Sequence, residues 1–128
     1  MSANLSIHAI GQIAIAVADI ARAVSFYRDT LGLTLLFEAP PGLAFFDCGG
    51  VRLMLTTLQG DESDHRTSVI YYKVNDIHEA RAALSDKNVA FIQSPQLVAK
   101  MPDHELWMGF IRDPDLNLIG IMEELPLN

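Results

Sequence analysis

Cysteine, basic charge and long apolar runs are what this chain has least of. One cysteine, Cys48, stands among 128 residues; that excludes an intrachain disulfide and fits a reducing compartment. Nine Lys and Arg face 16 Asp and Glu, a net charge of −7. Without a basic cluster, binding to a phosphate backbone is not expected. No apolar run approaches the roughly 20 residues of a spanning helix. The opening stretch MSANLSIHAIGQ has no basic region and no long apolar region, so neither a signal peptide nor membrane association is expected and the location is read as cytoplasmic.

What the chain does have is a repeat. Val17, Asp19, Ile20 and Ala23 recur as Val74, Asp76, Ile77 and Ala80, each 57 positions on (74 − 17 = 57). Two copies are too few for a solenoid and suggest paired modules sharing a site. Half of the residues are hydrophobic, ample for one core at this length.

Gln12–Ala18 is rich in Ile and Val and predicts a strand. Asp19 follows as the N-cap of a helix, where its carboxylate can accept from free first-turn amides. Ile20, Ala23, Val24, Tyr27 and Leu31 repeat at helical spacing, and Gly32 suits the left-handed position after a helix. Three short strands follow: Leu33–Ala39, Leu43–Cys48 and Val51–Leu58. The second copy predicts a strand over Ser68–Val74, a helix from Asp76 to Lys87 with Asn88 closing it, and strands over Val89–Gln93, Glu105–Ile111 and Asn117–Glu123. The expectation is one α+β domain of two βαβββ modules, about 8–58 and 68–124, joined by the polar linker 59–67. Two such curved sheets form a trough or partial barrel, with every second strand residue facing into it. Concavities of that kind commonly hold small molecules.

The segments VADIARAVSFYRDTLGL (17–33) and FIRDPDLNLIGIMEE (110–124) resemble the opening and closing signatures of the vicinal oxygen chelate superfamily. It holds glyoxalase I, extradiol dioxygenases, methylmalonyl-CoA epimerase and the fosfomycin and bleomycin resistance proteins. The resemblance spans about Gln12 to Glu124 and implies the paired-module fold and a homodimer. In metal-using members it also implies four ligand positions, which fall here on Gln12, Met54, Val69 and Gly120. Some glyoxalases use Gln at the first. A thioether suits hard or borderline divalent ions poorly, and Val and Gly offer no side-chain donor. No cofactor is therefore expected, and a divalent metal, though possible, is disfavoured.

Strand parity places Gln12, Met54, Val69, Tyr71 and Gly120 on one concave wall, with Arg52 and Lys73 toward its ends. Gly120 would leave space where the family carries a Glu. Gln12 could instead be a core amide bonded to backbone, and Lys73 could merely reach solvent. His104, Glu105 and Trp107 form the segment richest in chemistry. His104 and Glu105 are candidate proton-transfer groups, although neighbours on a strand face opposite ways. Trp107 is a candidate ligand wall. The alternative is a solvated His and Glu beside a packed Trp. Cys48 has no cationic neighbour and reads as a packed thiol. The expected function is binding or transformation of a small organic ligand without the metal quartet. The alternatives are a metal-dependent lyase, isomerase or dioxygenase with non-standard ligands drawn from His8, His65, His104 and a carboxylate, or a non-catalytic interaction module.

Overall fold

A computed structural model describes residues 9–57 and 68–127. The linker 59–67 and His8 lie outside them. Eight strands form two four-stranded sheets: β1 (Gln12–Val17), β2 (Thr34–Ala39), β3 (Leu43–Cys48) and β4 (Val51–Thr57) in one, β5 (Ile70–Lys73), β6 (Gln93–Lys100), β7 (His104–Arg112) and β8 (Leu118–Pro126) in the other. The strand orders are β1-β4-β3-β2 and β5-β8-β7-β6, the same order twice. In each sheet the first strand pairs parallel to the last. A helix makes the crossover: α1 (Ile20–Ser25) in the first module and α2 (Ile77–Asp86) in the second.

Both helices start where the repeat predicts. Asp19 accepts from Arg22 N, and Asp76 accepts from His78 N and Glu79 N. The second cap is reinforced, since Glu123 on β8 accepts from Ile77 N at 2.9 Å. α1 runs into a π-helical turn over Phe26–Thr30, closed by Leu31 N donating to Phe26 O. That turn absorbs one extra residue. The left-handed closing residues, Gly32 and Asn88, are 56 apart (88 − 32 = 56), against 57 for the caps. A π-bulge is the usual way to hold such an insertion.

Alternation divides each sheet. Leu53, Leu55, Phe46, Ile111, Ile119 and Ile121 are buried beneath the helices, each contributing about 1.5–3 kcal/mol by leaving water. The residues between them face the concave side. The register fixes equivalence between modules: Ala14 pairs with Met54 and Met54 with Phe45, while Tyr71 pairs with Gly120 and Gly120 with Phe110.

One strand differs from the sequence reading. Residues 89–92 are not a strand; β6 instead occupies Gln93–Lys100, the stretch read as a connection. Pro95 signals a break, yet β6 is an edge strand with register shifts after Gln93 and Leu97, and an edge tolerates proline.

Candidate functional site

The first concave face is built by alternate residues of β1, β4 and β3. Gln12 Nε2 donates to Met54 Sδ at 3.6 Å, so two of the four family ligand positions engage one another. Phe45 is their neighbour across β3. Phe37 stacks on it with ring centroids 4.6 Å apart, and the Arg52 guanidinium lies 5.6 Å from the Phe45 centroid. The wall is aromatic with donors at one end. A cation over a ring face at this range contributes about 0.5–1 kcal/mol when exposed.

The second face carries Tyr71, Phe110 and Gly120. Tyr71 and Phe110 meet edge to face at 5.7 Å. The Tyr71 ring lies directly over Gly120: a Cβ built there would collide with Tyr71 Cδ2. This corrects the expectation of open space at Gly120. The missing side chain is replaced by the ring of the neighbouring strand, which is why glycine is needed at that point. Val69 lies on the strand approach beside this pair and is partly exposed. Of the four family positions only Gln12 carries an oxygen donor. Among the described residues, no three His, Cys, Asp or Glu side chains gather as a metal site would require.

At the far end of the second face His104, Lys73 and Glu124 come together. Lys73 Nζ pairs with Glu124 Oε1 at 2.5 Å, and His104 Nε2 lies 3.6 Å from Glu124 Oε2. Asp103 Oδ1 is 2.7 Å from His104 Nδ1. Hydrogen bonding from Lys73, then its charge, holds the Glu124 carboxyl below the usual carboxylate range. The contact with His104 does the same for Asp103. Glu124 was absent from the sequence candidates, although it shares parity with Gly120 four residues earlier.

Glu105 and Trp107, named with His104 as site candidates, do not join this group; as parity predicts, they share the opposite face. Trp107 sits on the helix side, edge to face with His78 of α2 at 5.3 Å and packed against the core. Its Nε1 donates to Glu105 Oε1 at 3.2 Å. Period-two alternation from Phe110 through Met108 and Leu106 to His104 leaves both on the opposite face.

The modules are tied by the turn Asp113–Asn117. Asp113, 3% exposed, accepts from Tyr27 OH and from Asp115 N, Asn117 N and Asn117 Nδ2, each at 2.9 Å. Asp115 accepts from Ala18 N and Arg22 Nη2, and Asn117 Nδ2 reaches Ala16 O. A buried carboxylate with this many donors is a structural anchor. Burial, then the charge of Asp113, pushes the Tyr27 phenol far above its ordinary range.

Paired βαβββ modules with aromatic concave walls define a small-molecule fold class in which one scaffold hosts many chemistries. The family model of the Glyoxalase/Bleomycin resistance protein/Dioxygenase superfamily matches residues 9–121, and the chain belongs to that superfamily. It is 28% identical over 130 residues to the uncharacterized protein YraH of Bacillus subtilis, covering 89% of this chain and 97% of that one. It is 28% identical over 113 residues to the metallothiol transferase FosB of Staphylococcus haemolyticus, covering 88% of this chain and 65% of that one. Among solved structures it resembles TnmS3, an antibiotic binding protein from Streptomyces sp. CB03234. The TM-score is 0.71 at 23% identity, over 94% of this chain and 99% of that one, a likeness of fold.

Proposed function

We propose that this protein binds a small organic molecule on the concave walls of its sheets, as a homodimer, with no metal at the family ligand positions. The observation that carries this is the Tyr71 ring seated over Gly120. Where metal-using relatives present a carboxylate, an aromatic wall stands instead. The Gln12 amide on the Met54 sulfur supports the same reading. A binding role also fits the resemblance to an antibiotic binding protein.

The donors facing the walls are the Gln12 amide, the Tyr71 hydroxyl and Arg52, while Lys73 at the far end is engaged by Glu124. They suit a carboxylate or carbonyl on an apolar body. A second copy supports closure of the site. Phe37 and Tyr71 are 49% and 45% exposed in one chain, and large apolar groups held open on a concave face commonly mark an interface. Ties between the modules include Tyr27, the Asp113–Asn117 turn and Lys87 Nζ donating to Asp29 O, away from these walls. If the bound molecule is turned over, His104 is the trough-side group suited to moving a proton, oriented by Asp103 and Glu124.

The test is an amide chemical-shift map with phenylpyruvate, an acidic ketone with an aromatic body, together with sedimentation of the protein. Perturbations at Gln12, Met54, Tyr71 and Phe110 in a dimer are expected. Shifts gathered on the helix faces around Arg22 and Arg81, or a monomer at working concentration, would refute the reading.

A further inference from the structure

The internal repeat exposes a second candidate site on the other side of the sheet. Registers equate Phe45 with Phe110, and therefore Cys48 with Asp113, since both lie three residues further on. The 57-residue shift equates Phe26 and Tyr27 with Ala83 and Leu84. The seam thus has two halves built from equivalent positions. In one, Phe26 and Tyr27 fill the interior, and the Tyr27 hydroxyl binds Asp113. In the other, alanine, leucine and a thiol stand at the same places.

Smaller groups leave room there. A cleft of about 260 Å³ opens between the modules, with Leu31, Leu33 and Cys48 on one side and Tyr72, Ala83 and Leu84 on the other. Its one aromatic hydroxyl, Tyr72 OH, is buried and has no hydrogen-bond partner among the described residues. A buried hydroxyl left without a partner is destabilising unless something meets it. Burial raises both the Tyr72 phenol and the Cys48 thiol above their ordinary values, so both are neutral donors.

We propose that this cleft is a second ligand site, distinct from the concave trough. It would take an uncharged, flat, apolar molecule whose single oxygen accepts from Tyr72 OH. The size follows from volume. An apolar cavity of about 150 Å³ holds benzene, so this one holds on the order of ten heavy atoms. A charged ligand is disfavoured because the lining is mostly hydrocarbon with the Cys48 thiol, the Tyr72 phenol and Thr30, and its one charged residue, Lys73, has its ammonium paired with Glu124. The proposal stands independently of the trough reading, since Tyr71 and Tyr72 are neighbours on β5 that face opposite sides.

The probe is 2-naphthol, with naphthalene as the control lacking oxygen, followed by amide chemical shifts. Saturable shifts are expected at Cys48, Tyr72, Ala80 and Leu84, with Met54 and Phe110 unmoved. Tyr72→Phe removes an unmet hydroxyl and should keep the melting temperature. It should weaken 2-naphthol by about three- to tenfold, the worth of one hydrogen bond, and leave naphthalene unchanged. Ala83→Phe installs the first module's own residue and should abolish binding of both. Three results would each overturn the proposal: no binding up to the solubility limit, shifts confined to the trough face, or equal loss of both probes in Tyr72→Phe.

Discussion

The two modules share strand order, helix caps and a parallel pairing of first and last strands, yet they hold the molecule together unequally. The second module reaches into the first through a five-residue turn whose buried Asp113 accepts four hydrogen bonds. The first module's equivalent hairpin is a tight Gly49-Gly50 turn with positive φ at both residues, entered from the Cys48 thiol at the end of β3. The concave faces differ too. One is ordered around the Gln12–Met54 contact, the other around Tyr71 over Gly120 with an ionic cluster at its end. The two modules give a symmetric frame. The residues at equivalent places make one half of the seam a clamp and leave a cleft in the other.

The largest effect should come from breaking the clamp. Asp113→Ala strands several buried donors, each costing about 1–3 kcal/mol. Urea melts should show a loss of about 3 kcal/mol or more. Cys48→Ala, at the equivalent place, should cost about 1 kcal/mol or less. Similar losses at both sites would erase the asymmetry.

Next comes the contact that distinguishes the concave faces. Gly120→Ala forces a methyl into the Tyr71 ring, and such overpacking costs about 1–3 kcal/mol. Adding Tyr71→Ala should return most of the loss from the glycine substitution in a double-mutant cycle. Strict additivity would mean that the ring does not sit there.

The caps should differ less. Asp19→Ala and Asp76→Ala should each lower stability by about 1 kcal/mol in thermal melts. Glu123 still accepts from Ile77 N in the second case, so the start of α2 should fray less in hydrogen exchange than the start of α1.

The smallest effect belongs to Lys73→Met. Because Lys73 depresses the Glu124 pKa on folding, its contribution is present at neutral pH, above the unfolded carboxyl value. It is lost as pH falls through the lower folded value. The variant's melting temperature should therefore change less steeply below pH 5 than that of the parent. Identical slopes would show the surface pair to be energetically silent.

Much of this architecture is legible in the chain because it rests on local signals. The apolar runs at Ile13–Val17 and Ile70–Tyr72, the capping aspartates and the closing Gly32 and Asn88 all act within a few residues. Parity also assigns Met54, Tyr71 and Gly120 to one kind of face. What stayed hidden depends on partners far away in sequence. Edge position excuses Pro95 inside β6. Strand offset carries Tyr71 over Gly120. Asp113 acquires its role only when Tyr27, 86 residues earlier, is folded against it. The indole chemistry of Trp107 makes it a candidate ligand wall, but alternation from Phe110 puts it under α2.

The most direct test is the metal content of purified protein after dialysis against a chelator, measured by elemental analysis. With Met54, Val69 and a covered Gly120 at three of the four family positions, far less than one equivalent of zinc, nickel, iron or manganese is expected per chain. One equivalent that survives dialysis would contradict the account and favour a metal-dependent lyase, isomerase or dioxygenase.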